Sequence, residues 1–344
     1  MSEHLAARGG GRRAVEWPTV ALVIAIYSVF GALTFFFHSL PWWLLFPLGA
    51  YVVCLYGSLQ HEVVHGHPTR NLRINEALVF PSLSLWVPFR RYRRTHLMHH
   101  NDEYLTDPID DPESWYLMPG TWARLPRSIK QILKLNNTLA GRLTIGPVIA
   151  IGLFFAHELR RMAAGDREVI GAWALHLGSV SVTLLWITVV CGMGFWEYLI
   201  FFAYPGTALS LLRSFAEHRA DTLVSARTAV IETNPAVALL FLNNNLHAAH
   251  HQNPRLPWYR LPAYYRQWKE QLLEQNGRYL VIGYATLARH FLFRAKESIP
   301  HPLTADEPLE MATQKQGIEH SAPEFAEFHS SPDLGRALPA PAVA

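Results

Sequence analysis

The 344-residue sequence is poor in cysteine and in charge. Its 2 cysteines, Cys54 and Cys191, both lie in apolar runs, which excludes a disulfide scaffold and leaves zinc fingers and iron–sulfur clusters without ligands. Only 17% of the residues are charged, against about 25% in soluble domains. The net charge of +3 is too small to indicate nucleic acid as a partner. Apolar residues make up 50% of the chain, aromatic residues 12%, and there are 18 histidines, so extensive disorder is excluded as well.

Long uncharged runs are the most prominent feature of the remaining composition. About 20 apolar residues suffice to carry a helix across a bilayer. Four runs approach or exceed this length, the fourth with Glu197 at its edge, and they cover residues 18–37, 42–59, 169–193 and 196–212. The links within the first pair and within the second pair are short. The sequence therefore predicts an all-α integral membrane protein with four transmembrane helices in two hairpins and a helical cytosolic cap.

Arginines predict the orientation of these helices. They precede the first and third runs and follow the second and fourth, whereas the two links between paired runs carry no Lys or Arg. Because basic loops stay in the cytoplasm, we expect a multi-pass protein of the cell inner membrane with both termini cytoplasmic. The residues around His38 contain no small-residue cleavage site, so the first run is expected to remain as an anchor.

The rest of the chain divides by composition. Two apolar runs, 77–89 and 143–155, are too short to span and are interpreted as re-entrant or interfacial. Beyond Pro300 the chain is rich in Pro, Ala, Glu and Ser without periodicity, which indicates disorder. The predicted organisation is a cytosolic N-terminal segment (1–17), a membrane domain with its cap (18–296) and a disordered tail (297–344).

Histidines cluster in three short segments that all fall on the predicted cytoplasmic side. Side chains at i, i+3 and i+4 share a helix face, so the first histidine of each segment can converge with those that follow. Neutral imidazole binds iron, zinc, copper and nickel, and eight histidines exceed the needs of one ion. The sequence therefore predicts a site for two metal ions whose candidate ligands are His61, His65, His96, His99, His100, His247, His250 and His251.

Further residues near these segments are candidates with two open interpretations. His218 directly follows the fourth run and is either a ninth ligand or a helix-end cap, and His67 is either a ligand or a neighbouring loop residue. Ligand imidazoles usually donate their second N–H to an oxygen acceptor. Candidate acceptors or orienting groups are Glu62, Asp102, Asp107, Asp110, Asp111, Glu217 and Asn243, each of which has a plain solvent-facing or helix-end alternative.

The order His-x3-His, His-x2-His-His, His-x2-His-His resembles the membrane fatty acid desaturase superfamily, which also includes hydroxylases and carotenoid ketolases. The similarity covers roughly residues 20–270 and includes Asn101-Asp102 after the second cluster. It implies a helical membrane domain beneath a cytosolic cap that holds two iron ions (Fe²⁺) on the eight cluster histidines. His218 best matches a further ligand found in some members. The sequence lacks the cytochrome-b5-like His-Pro-Gly-Gly segment, which implies an external electron donor, ferredoxin or a cytochrome b5-like carrier, with its reductase.

This resemblance implies O2-dependent oxidation of an unactivated C–H bond. Desaturation of a fatty acid or lipid chain is the favoured reaction, and hydroxylation or ketolation of a lipid or carotenoid stays open. A small substrate derived from an amino acid, as in rhizobitoxine precursors, also stays open. Any of these would bind in a pocket between the spans and the cap, for which Trp86, Trp115 and Trp122 are candidate lining residues.

Two other classes of protein fit part of the pattern. Residues 61–65 read His-Glu-Val-Val-His and match the zinc-hydrolase motif with Glu62 as general base. A membrane zinc protease, however, would leave the other two clusters without a role. A metal transporter would place its ligands within the spans near the bilayer midplane, whereas these clusters lie outside the apolar runs.

Overall fold

The structure is a computed structural model that describes residues 15–304. This part of the chain is mostly helical, as predicted. The helices in chain order are α1 (Trp17–Phe35), α2 (Trp42–Val64), α3 (Leu72–Leu78), α4 (Phe89–His99), α5 (Pro119–Arg124), α6 (Arg127–Asn136), α7 (Leu139–Thr144), α8 (Gly146–Ala163), α9 (Arg167–Leu185), α10 (Phe195–Tyr198), α11 (Tyr204–Glu217), α12 (Pro235–Leu240), α13 (His247–Gln252), α14 (Leu261–Gln275) and α15 (Tyr284–Phe291).

Two short strands modify the all-α prediction. β1 (Val230–Glu232) and β2 (Leu280–Ile282) pair in parallel, with Ile231 opposite Val281. Three residues are too few to show the alternation of apolar and polar positions that marks a strand in a sequence. The pairing was therefore not predictable from the hydrophobic pattern.

Four helices are long and apolar enough to cross a membrane, and they coincide with the four predicted runs. The third combines α9 with a wider helical turn, and the fourth combines α10, a second wide turn and α11. The four helices cover Trp17–Phe35, Trp42–Val64, Arg167–Val190 and Phe195–Glu217.

The second and fourth of these helices continue past the predicted apolar runs. α2 extends beyond Leu59 to Val64, and α11 extends beyond Leu212 to Glu217. The added turns carry polar side chains, including His61 and Glu217, that neighbouring protein buries. Burial by protein allows these turns to remain helical although their composition is no longer apolar.

Two glycines allow α2 to approach the fourth span closely. A Cβ atom at Gly49 would lie 2.3 Å from the Phe201 carbonyl oxygen, and one at Gly206 would lie 2.6 Å from the Val53 Cβ. Small residues at such crossings are typical of membrane helix packing, because they bring backbones into direct van der Waals contact. The contact fixes the relative height of α2 and α11, whose ends carry His61 and Glu217.

The short apolar run 77–89 is largely irregular, yet its carbonyl groups are satisfied. The Tyr56 hydroxyl donates to the Val79 carbonyl at 2.8 Å, and the Tyr198 hydroxyl donates to the Leu83 carbonyl at 2.6 Å. Both tyrosines come from the membrane-length helices. Hydroxyl donors of this kind allow an irregular backbone to be buried among apolar helices.

The other predicted regions take simple forms. The run 143–155 lies in α7 and α8, and neither short run falls within the four membrane-length helices. Residues 102–137, which connect α4 to α7, contain α5 and α6. The first residues of the predicted tail, 297–304, run beside Leu117 with backbone hydrogen bonds of 2.9 Å. Beyond residue 304, the tail prediction falls outside the described residues, as does nearly all of the predicted segment 1–17.

A buried ion pair attaches α4, which carries the second histidine cluster, to α8 and α9. Arg91 Nε donates to Glu158 Oε2 at 2.9 Å, and Arg91 Nη2 donates to Glu158 Oε1 at 2.9 Å. Trp173 Nε1 also donates to Glu158 Oε2, at 3.0 Å. Both charged side chains are almost completely buried. The pair therefore holds the histidine-bearing helix in position.

We expect Glu158→Ala to lower the free energy of unfolding by about 3–5 kcal/mol, because the buried Arg91 charge then keeps only the exposed carboxylate of Glu168, 3.9 Å from Nη1. The measurement is denaturant unfolding of the protein in detergent. Glu76→Ala is the matched control, since Glu76 pairs with an exposed Arg90, and exposed pairs contribute about 0–1 kcal/mol. Equal losses of unfolding free energy in the two variants would contradict the conclusion that the Arg91–Glu158 pair holds α4 in position.

Candidate metal centre

The ends of four helices bring the predicted histidines together. His61 lies in the last turn of α2, and His65 is the residue that follows this helix. His96 and His99 end α4, and His100 follows them. His218 follows α11 directly, and α13 supplies the remaining three histidines. Segments that are far apart in sequence therefore converge on one place.

The nine histidines form two groups within which all candidate ligand atoms lie within 4.8 Å of one another. The first histidine group is His61, His65, His96, His100 and His250. The second histidine group is His99, His218, His247 and His251. The groups are neighbours, since the rings of His100 and His251 stack with centroids 4.4 Å apart.

The division between the two groups corrects the expectation that each cluster converges on one point. His96 and His100 lie in the first group, but His99 lies in the second. In the third cluster His247 and His251 lie in the second group and His250 in the first. At 3.6 residues per turn, the i+3 and i+4 positions differ by about 100° around the helix. The helix therefore directs them to opposite sides of residue i.

Within each group the Nε2 atoms face one another at short range. In the first group the Nε2–Nε2 distances are 3.2 Å for His65–His96, 3.0 Å for His96–His100 and 3.1 Å for His100–His250. In the second they are 3.1 Å for His99–His218, 3.0 Å for His218–His247 and 3.1 Å for His247–His251. Six contacts of this kind therefore link eight of the nine histidines.

Several histidines bond to an oxygen through their second ring nitrogen. His96 Nδ1 donates to Glu113 Oε1 at 2.9 Å, and His99 Nδ1 donates to Asp111 Oδ1 at 2.8 Å. Nδ1 of His247 lies 3.0 Å from Asn244 Oδ1 and 3.4 Å from Glu217 Oε1, and Nδ1 of His218 lies 3.3 Å from the Arg227 carbonyl oxygen. Such contacts fix the ring orientation and leave Nε2 as the metal-facing atom.

Burial keeps most of these imidazoles neutral. Burial, reinforced by the neighbouring histidines, lowers the pKa of His65, His100, His218, His247 and His250. A neutral imidazole has a lone pair available for a metal ion. The electrostatic environment therefore maintains the protonation state that ligation requires.

His99 and Glu113 differ from this pattern. Burial acts to lower the pKa of His99, but the charges of Glu113 and Asp111 outweigh it and raise the pKa to about 9. Burial acts to raise the pKa of Glu113, but His99 and His96 hold that pKa well below its usual range. Glu113 is therefore an ionised acceptor for the N–H of His96.

The donor geometry fits a metal ion in each group. Two imidazole nitrogens bound to one ion at about 2.0–2.1 Å, at right angles, lie about 3 Å apart. Where Nδ1 carries the hydrogen, facing Nε2 atoms direct lone pairs at each other, and a cation between them relieves this repulsion. An all-imidazole donor set suits iron, zinc, copper and nickel.

The residues predicted to lie beside the ligands make different contacts in the structure. Glu217 and Asp111 lie against histidines of the second group. Asp107 instead accepts from backbone N–H groups of its own turn, and Asn243 donates to the Trp258 carbonyl. Asp107 is placed there because Asp side chains readily bond to the backbone two residues on.

Glu62 and His67 form a separate cluster with Glu16 rather than joining either histidine group. His67 Nδ1 donates to Glu16 at 2.8 Å, and Glu62 Oε1 accepts from the Trp258 backbone N–H at 2.9 Å. The side chain of Asp102, another predicted neighbour, lies outside the part that the structure describes.

Two residues next to the histidines were missed by the sequence reasoning. Glu113 lies 17 residues after His96, within an acidic and proline-rich stretch whose members all resemble solvated loop residues. The sequence favours Asn243 over Asn244, because Asn243 is one full turn before His247 if the helix extends that far. The helix instead begins at His247, and Asn243 adopts a left-handed conformation with φ of 60°. The three consecutive asparagines indicate that one of them lies near His247, but the sequence does not show which one.

A cavity of about 160 Å³ lies beside the second histidine group. Its lining includes His218, Glu113 and Trp115. Of the three candidate tryptophans, Trp115 lines this cavity. Trp86 instead donates to Thr207 at 2.8 Å, and Trp122 lies against the Lys130 ammonium, so neither is part of this lining.

Four membrane-length helices with two histidine groups at their ends define a membrane-associated protein with a candidate metal centre. Comparison with protein families then gives the particular family. The profile for the Fatty acid desaturase family matches residues 37–283, and the chain belongs to this family. A search of curated proteins gave no match.

Proposed function

We propose that the protein is an O2-dependent di-iron membrane oxidoreductase, and that its reaction is desaturation of an unactivated alkyl chain. The observation that carries the proposal is the convergence of nine histidines in two neighbouring groups. Membership of the Fatty acid desaturase family supports an oxidoreductase. The family and the all-imidazole donor set together favour iron.

In this proposal each histidine group holds one iron ion. The bound ions supply the chemistry of C–H oxidation with O2. Glu113, Asp111 and Asn244 hold the rings of His96, His99 and His247, and the surrounding apolar spans exclude water from the centre. The choice between desaturation and hydroxylation depends on how the substrate carbon is placed, so hydroxylation or ketolation is the alternative outcome of the same site.

The zinc-protease alternative is disfavoured by the position of Glu62. A general base in that motif must reach a water on the ion held by His61 and His65. Here the Glu62 carboxylate accepts from Trp258 and lies with Glu16 and His67. His61 and His65 are surrounded by three further histidines, which exceeds the needs of a single zinc ion.

The proposal includes the environment in which the enzyme works. The four spans would form two hairpins in the inner membrane, with both termini and the metal centre on the cytoplasmic side. Electrons would come from an external ferredoxin or cytochrome b5-like donor with its reductase. The substrate would be a lipid or a small hydrophobic molecule, and nucleic acid is not a partner.

The test combines metal analysis with product analysis. Purified protein is expected to contain two irons per chain, and to consume O2 only when a reductase and a carrier are supplied. Mass spectrometry of lipids and small metabolites from cells with and without the protein should show loss of two hydrogens. Gain of one oxygen would instead identify a hydroxylase. One zinc per chain with peptide cleavage would refute the proposal.

A further inference from the structure

The cavity beside the second histidine group joins the candidate metal centre to a set of buried charges. Its lining includes His218 and Glu113 from the candidate centre, together with the charged residues Arg142, Lys296 and Glu297. A molecule in this space would therefore touch both the metal-facing side chains and a charged wall.

Arg142 is a buried cation without an anionic partner. The residue is only 4% exposed, and its guanidinium carbon lies 3.6 Å from the centroid of the Trp115 ring. Nε donates to the Asn136 carbonyl at 3.1 Å, whereas Nη1 is buried with no hydrogen-bond partner in residues 15–304. Burial lowers the pKa of Arg142 to about 9. These surroundings disfavour the charge unless an anion joins it.

The acidic side chains of the cavity are engaged elsewhere. Glu113 accepts from His96, Asp111 accepts from His99, and Glu217 forms an ion pair with Arg213, whose Nε lies 3.1 Å from Glu217 Oε1. Lys296, the second cation of the wall, pairs with Glu297 at 2.9 Å. Across the described lining, the charge that lacks a counter-ion is that of Arg142.

We infer that this cavity binds a compact substrate through a carboxylate group held by Arg142, with the substrate carbon chain directed toward His218 and Glu113. The inference rests on the proposed function, because it takes the metal centre as the site of oxidation. It assigns Arg142 as a substrate-binding residue and a carboxylate as the recognised group.

The charge of Arg142 and the size of the cavity both favour a short carboxylate as the ligand. One unpaired guanidinium matches a monoanion, whereas a phosphate group carries about −1.5 to −2 charges at neutral pH. Planar guanidinium donors also match the planar carboxylate. A cavity of about 150 Å³ accommodates benzene, so the observed 160 Å³ fits a group of about six carbons. The space inside this cavity thus matches a short acid better than an extended acyl chain.

Equilibrium dialysis of the purified, iron-loaded full chain tests the inference with hexanoate and its neutral analogue hexanamide. Hexanoate is expected to bind about tenfold or more tightly than hexanamide, because a charged hydrogen bond replaces a neutral one. Arg142→Gln should abolish this preference, and Arg142→Lys should retain part of it. Arg127→Gln is the matched control, since Arg127 is an exposed arginine on α6 outside the cavity lining.

The outcomes separate this inference from the proposed function. Two irons per chain with no preference for hexanoate in the unmodified protein would overturn the role of Arg142 alone, and this result needs no variant to fold. A carboxylate preference in a chain without iron would overturn the di-iron proposal instead. Palmitate that binds as tightly as hexanoate, with the same dependence on Arg142, would overturn the assignment of a compact substrate.

Discussion

Replacing His250 by alanine is expected to abolish turnover and to lower the iron content below two per chain. His250 Nε2 lies 3.1 Å from His100 Nε2 and completes the first histidine group. Loss of a ligand should exceed the effect of losing an outer partner, which is about 10- to 100-fold in affinity or activity. His247→Ala should do the same through the second group. Iron analysis and O2 consumption of the purified variants provide the measurements.

His176→Ala is the matched control for these two variants. His176 is also a buried histidine, but it contacts the Leu85 carbonyl within the helical bundle and belongs to neither group. It should keep two irons and most of its activity. If His250→Ala retained full iron and turnover, or if His176→Ala lost its iron as well, the assignment of the two groups as the metal centre would be refuted.

Removing the carboxylate of Glu113 is expected to produce the second largest effect. Glu113→Ala leaves the Nδ1–H of buried His96 without its acceptor and frees the ring to rotate. Outer partners of this kind typically contribute about 10- to 100-fold in metal affinity or activity. We expect a loss in this range, measured as iron retained against a competing chelator and as turnover rate.

Asp107→Ala provides the comparison for Glu113→Ala. Both residues lie in the same acidic stretch, but the Asp107 carboxylate bonds to backbone N–H groups at 2.7 and 2.9 Å. Replacing this carboxylate should leave the iron affinity within about twofold of that of the unmodified protein, because substitutions away from a core or a site usually have small effects. Similar iron losses in both variants would indicate that the loop as a whole, rather than the Glu113–His96 contact, supports the centre.

The sequence predicted those features that depend on composition and local spacing. The four apolar runs became the four membrane-length helices because their apolar length alone determines that property. The histidine clusters converged because i and i+4 positions share a helix face, as His61 with His65 and His247 with His251 demonstrate.

Features that depend on tertiary contacts could not be predicted from the sequence. The role of Glu113 follows from the path of a loop with no periodic pattern. Asn244 rather than Asn243 contacts His247 because α13 begins at His247. The unpaired charge of Arg142 likewise becomes visible only when α7 is seen to bury it against Trp115. In each case the decisive information is which side chains from distant segments surround the residue.

The second and third histidine clusters are each divided between the two histidine groups, and this division restricts the movement of α4 and α13. α4 and α13 each extend side chains to both groups, so neither short helix can rotate or slide without changing both donor sets at once. The spacing between the two positions is thereby set by rigid backbone rather than by flexible side chains. In the proposed centre each short helix would therefore hold two neighbouring ions at a fixed separation.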